Sequence, residues 1–316
     1  MTRALSGLHN GRRLEGAGMS EDLEFALALV LNGASIGLMY SLIALGFVLV
    51  YKATDAINFA QGEFVMLAGL IVAVVLGFEG APLIAAIVIV VAVMIGFGFG
   101  LERVVLRPLL GRPVVAVIMA TIGLAAMLRG LGPVIFGSET RAVSLPIGDE
   151  PIVLGPASLP PIQVLGAVVA ILLFLAFNWF FKKSRMGVAM RAVADNQQVA
   201  QAMGINVERY FALAWAMAGV VSALGGVVWG SMLGVDVHLA LVGLKVFPVV
   251  ILGGLDSIGG ALVGGLIIGI VESLAAGYLD PYVGGGTKDF APYVLMILVL
   301  MIRPYGIFGK RKIERV

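Results

Sequence analysis

The sequence has no cysteine, and its two histidines, His9 and His238, stand far apart. No disulfide or thiolate metal site is available, and two distant imidazoles do not make a metal cluster. Charged residues are few as well, at 13% of the chain against 60% hydrophobic residues and a mean hydropathy of +1.05. Soluble domains carry about 25% charged residues, so this chain lies outside their range. There is no Gly-x-x-x-x-Gly-Lys-Ser/Thr loop, since Lys288 is preceded directly by Thr287 and Gly309-Lys310 runs into Arg311. The chain has no ATP cradle of that kind. A Gly-x-Ser-x-Gly elbow and a His-Glu-x-x-His helix are also missing. No nucleophile-and-base set supports an enzyme reading, and no catalytic residue, metal or cofactor is expected.

What the chain does have is hydrophobic length. Apolar runs fall at about 24–51, 57–77, 82–102, 113–136, 162–181, 209–233, 240–254, 258–279 and 289–303, and several reach the roughly 20 residues that cross a bilayer core. They predict an all-α, polytopic transmembrane helical bundle of about 8–10 spans, some broken or half-length. The run 240–254 is short and contains Pro248, which marks it as a half-helix buried by its neighbours. Many of the 43 glycines lie four apart, as in Gly33/Gly37, Gly96/Gly100, Gly226/Gly230/Gly234, Gly260/Gly264 and Gly265/Gly269. That spacing lets helix backbones approach closely in lipid, whatever the protein does.

Residues 1–18 hold arginines and glycines without the apolar core of a secretory signal. They read as a flexible tail, with Met19 an alternative start. Residues 19–309 form the membrane domain, and 310–316 a short basic tail. The stretch GSETRAVSLPIGDEPIVLGPASLPP, between the fourth and fifth runs, reads as an external loop with a short hairpin, either a partner contact or a covering flap. Placing the Lys182 loop in the cytoplasm puts 14 of the 21 basic residues inside. The N-terminus is then outside and the C-terminus inside, in a cytoplasmic (inner) membrane, although Arg3, Arg12 and Arg13 of the tail run against the trend.

The longest polar interval is Lys182 to Tyr210, within which 182–208 forms a loop. Good helix formers from Val188 to Met203 predict a helix too polar to span, ended by a left-handed Gly204. Its polar residues Arg191, Asp195, Asn196, Gln197, Gln198 and Gln201 oppose a narrow stripe of Ala189, Val193, Ala200 and Met203. The helix either docks in a partner's groove or merely links two spans.

In DAINFAQGEF, Asn58 and Gln61 have the spacing of an N-cap and its N3 partner, with Glu63 near the positive helix end. These residues either cap a helix or belong to a permeation path, and both roles are compatible. Glu102, Arg103, Arg129, Asp236, Lys245 and Glu272 lie in or near apolar runs. A charge facing lipid costs about 2.5–3.5 kcal/mol, so each is expected in a bundle interior or at an interface. Lys245 and Glu272 are the deepest and are candidates for a polar pathway, though no spacing argument brings them together. In LGGLDSIGGALVGGLIIG, Ser257 or Asp256 is expected to cap a glycine-faced helix.

In order along the chain stand NGASIGLMYSLIALGFVLVY, INFAQGEFVMLAG, ERVVLRPL, SRMGVAMRAVADNQQVAQAMGIN, VILGGLDSIGGALVGGLIIGIVES and RPYGIFG. From about Asn32 to Gly309 the chain resembles the permeases of branched-chain amino-acid ABC importers of LivH type. The resemblance implies that 184–206 is a cytoplasmic coupling helix, with Arg191, Asp195, Gln198, Ala200, Met203 and Gly204 as its coupling residues. Asn58, Gln61, Glu63, Lys245 and Glu272 are then candidates for the pathway or its gate. The implied partners are two ATP-binding subunits, which bind the ATP, a second permease, identical or homologous, and an extracytoplasmic substrate-binding protein. Membrane lipid surrounds the chain, and no nucleic acid is expected. The implied cargo is a branched-chain amino acid, or within the same family urea or a short amide. An autonomous secondary transporter or channel for a small polar solute is the competing class.

Overall fold

A computed structural model describes residues 5–78, 81–109, 111–148 and 150–309, with side chains from residue 21 onward. The first helix, α1, runs Leu5–Thr54 and continues through 5–18, the stretch read from sequence as a tail. The 310–316 tail lies outside the described residues. The chain then forms α2 (Gln61–Leu76), α3 (Leu83–Leu101) and α4 (Val114–Phe136). A hairpin of β1 (Ile152–Leu154) and β2 (Ala157–Leu159) follows, antiparallel with Val153 opposite Ser158. It lies in the Pro/Ser-rich loop, where a hairpin is expected from the sequence. Next come α5 (Pro161–Lys183), α6 (Arg185–Asp195), α7 (Gln197–Ala202) and α8 (Val207–Leu233). The chain closes with α9 (Leu241–Gly253), α10 (Ile258–Tyr278), α11 (Asp280–Val283) and α12 (Thr287–Ile302).

Among the described residues, six helices are long and apolar enough to cross a membrane: α1, α3, α4, α5, α8 and α10. The other three apolar runs became the shorter helices α2, α9 and α12, of 16, 13 and 16 residues. At 1.5 Å per residue these are about 20–24 Å long, less than a hydrocarbon core. α1 and α8 are each 83% buried along their apolar windows, against 17–22% for α3, α4 and α5. The first two therefore form the centre of the bundle and the last three its rim.

Glycine sets the central packing. A Cβ at Gly37 would meet the Gly265 carbonyl oxygen at 2.3 Å, and one at Gly269 the Gly33 carbonyl oxygen at 2.2 Å. α1 and α10 thus touch backbone to backbone, in opposite directions. α3 and α8 repeat the device: a Cβ at Gly98 would meet the Trp215 carbonyl oxygen at 2.5 Å, and one at Gly219 that of Met94 at 2.3 Å. Gly96 and Gly100 have open space where a Cβ would go, so their four-residue spacing joins nothing within this chain.

Two segments interrupt the spans. After Thr54 the chain turns back through Asp55, which takes a left-handed φ of 57°. It then enters the bundle without helical structure as far as Ala60. Gln61, where α2 begins, lies against Gly46 of α1, about 12 Å up the helix from Thr54. From the opposite end, the stretch after α8 pairs Val235 with Arg141 and descends through a 3-10 turn, Val237–Ala240, to α9. The starts of α2 and α9 meet inside the bundle, where a Cβ at Gly62 would lie 2.2 Å from the Ala240 carbonyl oxygen and one at Gly243 2.5 Å from Gly62 Cα. The half-helix expected at 240–254 is therefore present, and it has a counterpart in α2.

Candidate functional site

Non-helical backbone at membrane depth survives only where its polar groups are satisfied inside the protein. Residues 55–60 have several such internal partners. Asn58 Oδ1 accepts from the Ala60 amide at 3.0 Å, and the Phe59 amide donates to Thr121 Oγ1 of α4 at 3.3 Å. Asn58 Nδ2 donates to Gln61 Oε1 (3.2 Å), Gln61 Nε2 to Ser222 Oγ of α8 (2.9 Å), and Ser222 Oγ to the Ala218 carbonyl (2.8 Å). Asn58, Gln61 and Ser222 are all fully buried. This corrects the expected capping box. The N-cap of α2 is Ala60, which makes no side-chain cap bond. Asn58 instead closes a turn two residues ahead, and the Gln61 side chain crosses to another helix, because Ser222 offers its amide a buried acceptor.

Glu63, 2% exposed, forms an ion pair with Arg129 of α4, whose side chain is about half exposed. The two border a cleft of about 170 Å³, walled by Phe47 of α1, Phe59, Ile122 of α4, and Gly243, Leu244 and Phe247 of α9. Phe247 packs at 5.6 Å from Phe59 and 6.3 Å from Phe47, ring centre to ring centre. One residue beyond Leu244, Lys245 Nζ donates to Asp289 Oδ1 of α12 at 2.6 Å. Tyr40 donates to Glu272 Oε1 at 3.1 Å and stacks on Trp229. Glu272 lies within the electrostatic reach of both Lys245 and Asp289. Lys245 and Glu272, which sequence spacing does not connect, thus share one neighbourhood. Arg129, Lys245 and Asp289 are all substantially exposed. A charge facing hydrocarbon at the bilayer centre costs about 2.5–3.5 kcal/mol, which favours an interior or interfacial setting for these groups.

The polar interval between α5 and α8 is two helices, not one. Asn196 adopts an extended backbone (φ −160°, ψ 108°) and caps α7 by accepting from the Val199 amide at 3.0 Å. Its side chain competes for the backbone and breaks the helix there. At the far end the expectation holds: Gly204 has φ +80°, and the Ile205 amide donates to the Ala200 carbonyl while the Gly204 amide donates to Gln201, a Schellman closure. The apolar stripe is split. Val193 and Ala200 are buried against Val207 and Phe211 of the chain itself. Met203 (77% exposed), Val199 and Val188 point away. Asp195, Gln198 and Gly204 are also exposed, whereas Arg191 donates to the Phe181 carbonyl at the end of α5 and fixes the segment to the bundle. Ser184 caps α6 by accepting from the Gly187 amide at 2.9 Å.

Several basic residues gather at the same end. Lys52 donates to the Asp256 carbonyl at 2.9 Å and lies over the Phe181 ring. Arg107 bridges the buried Glu102 (3.0 Å) and Glu208 at the start of α8 (3.1 Å). Ser257 caps α10 through the Gly260 amide, as the sequence suggests. At the other end, a cavity of about 460 Å³ opens between residues 142–148, Pro160–Ile162 and Gly230–Gly234.

The family profile described as "Branched-chain amino acid transport system / permease component" matches residues 29–301. The high-affinity branched-chain amino acid transport system permease protein LivH of Escherichia coli (strain K12) is 34% identical, over 94% of this chain and 100% of that protein. BraD of Pseudomonas aeruginosa, a permease protein of the same description, is 32% identical over 92% and 98%. A probable LivH from Methanocaldococcus jannaschii is 31% identical over 89% and 92%. Among solved structures, PsaBC from Streptococcus pneumoniae in complex with Fab aligns at a TM-score of 0.46 and 14% identity, covering 89% of this chain and 94% of that one. With apolar helices, an internal polar face and a match along nearly its whole length, this multi-pass membrane protein belongs to the LivH-like family of branched-chain amino acid ABC transporter permeases.

Proposed function

We propose that the chain forms half of the translocation pore of an ATP-driven importer for branched-chain amino acids. Its partners in this reading are a second permease, two ATP-binding subunits and an extracytoplasmic binding protein. The observation that carries the reading is the α6–α7 segment, an amphipathic surface fixed to α5 by Arg191 and presenting Asp195, Gln198, Val199 and Met203 outward. Val199 and Met203, one helical turn apart, form an exposed apolar pair beside the buried Val193 and Ala200, a surface that a docked partner would cover. The gathering of Lys52, Arg107 and Lys182 at that end supports a cytoplasmic position for it, with the N-terminus outside. Arg191 and Ala200 then position the segment, and Asp195, Gln198, Met203 and the Gly204 turn meet the ATPase.

Movement of α6–α7 is passed directly to α5 and α8, the helices it joins. α8 holds Ser222, so the same movement reaches Gln61 and the unwound start of α2. Nucleotide drives the pore only in so far as the ATPase binds one state of the permease more tightly than the other. The native chain has no cysteine, so single cysteines at Asp195, Gln198 and Met203 give unambiguous crosslinks. Each is expected to crosslink to the ATPase in the assembled importer. ATP-driven uptake that persists while none of the three crosslinks would overturn the reading.

A further inference from the structure

The Glu63–Arg129 cleft does more than join two helices. Arg129 engages Glu63 through one nitrogen, Nη2, and a guanidinium has five N–H donors in all. Both residues line the cleft, and facing them across about 170 Å³ stand Phe47, Phe59, Leu244 and Phe247. Two opposite charges beside an apolar wall match one chemical class: a free α-amino acid whose side chain is apolar. The cleft is smaller than the 300–1,000 Å³ of a typical small-molecule site, which suits a solute of that size. It also lies at the meeting of two helix starts, where partial positive charge favours a carboxylate.

We propose that this cleft is a substrate-reading subsite inside the permease. Arg129 takes the α-carboxylate, Glu63 takes the α-ammonium, and Phe247 with Phe47, Phe59 and Leu244 takes the aliphatic side chain. The assignment rests on the importer reading and deepens it: cargo is read a second time within the membrane, after any selection outside.

The test uses the assembled importer in nanodiscs, with L-photo-leucine, a diazirine analogue of leucine, as probe. Photolabel is expected on Phe47, Phe59 or Phe247, chased by excess L-leucine. Arg129→Lys keeps the charge opposite Glu63 but loses the planar fork, and is expected to raise the KM for leucine about tenfold and to weaken labelling to match. Phe247→Trp leaves both charges in place and narrows the apolar wall. It is expected to lower leucine uptake relative to valine uptake by about tenfold, a ratio that a purely structural role would not move. If the importer takes up leucine but the label falls elsewhere, or if Phe247→Trp leaves the ratio unchanged, the subsite is overturned and the importer reading stands. If the assembled wild-type complex takes up no leucine, the importer reading falls and the subsite falls with it.

Discussion

Replacing Met203 by arginine separates docking from folding. Met203 is 77% exposed at the end of α7, so the change costs the permease itself about 0.5 kcal/mol or less. Full burial of a methionine side chain is worth about 1.5–3 kcal/mol, and covering three-quarters of it by a partner about 1–2 kcal/mol. Losing that contact and forcing a charge toward the same surface removes about 2 kcal/mol or more, an affinity loss of about 30-fold. The assay is biolayer interferometry of the ATPase on nanodisc-held permease, beside a thermal melt of the permease alone. Met203→Arg should weaken binding and leave the melt in place. Ala200→Arg, by contrast, places a charge at a 3% exposed position against Val193, Val207 and Phe211, and should lower both. An ATPase affinity within twofold of wild type for a folded Met203→Arg permease would refute the docking argument.

Other expectations are independent of that one. Gly265→Val places a Cβ 2.0 Å from Ser41 Oγ and 2.4 Å from the Gly37 carbonyl, and should destabilise the bundle by about 3 kcal/mol or more. Gly96→Val, with nothing near its Cβ, should leave the melting temperature almost unchanged. Asn196→Ala removes the cap on Val199, worth about 1 kcal/mol, and lets α6 and α7 fuse. ATPase affinity should fall although no exposed docking residue is altered. Asp280 lies outside the spans, and its carboxylate is held below the usual range because the Thr287 hydroxyl and amide both donate to it. A depressed folded value means the turn is stabilised above the unfolded pKa and loses that stabilisation as pH falls through the folded one. Hydrogen exchange at the Thr287 amide should therefore accelerate only in acid below the ordinary aspartate range, and Asp280→Ala should abolish the dependence.

Each of the nine apolar runs is a helix, and both the hairpin before α5 and the left-handed Gly204 lie where residue chemistry places them. Those features are local, set by hydrophobic length, turn residues and the one residue without a Cβ. The descent of residues 55–60 is not legible in the same way. Ala56, Ile57, Phe59 and Ala60 are apolar, so their backbone joins the following run unless Thr121, far away in sequence, is known to bond to that backbone and Ser222 to accept from the Gln61 side chain. The Glu63–Arg129 pair is hidden for the same reason, since 66 residues separate its members. The break at Asn196 had a signal in the adjacent Asp195 and Asn196, which favour capping over helix interiors. The stripe through Val193 and Ala200 was legible as apolar, but amphipathicity does not say whether such a face meets a partner or the chain's own α8.

The most direct test is leucine uptake by proteoliposomes that hold this chain with its second permease and its ATPase, supplied with the binding protein on the substrate side. The account predicts accumulation that requires ATP on the α6–α7 side, stops when the ATPase cannot hydrolyse it, and is insensitive to proton or sodium gradients. Leucine accumulation driven by an ion gradient with the ATPase omitted would contradict it.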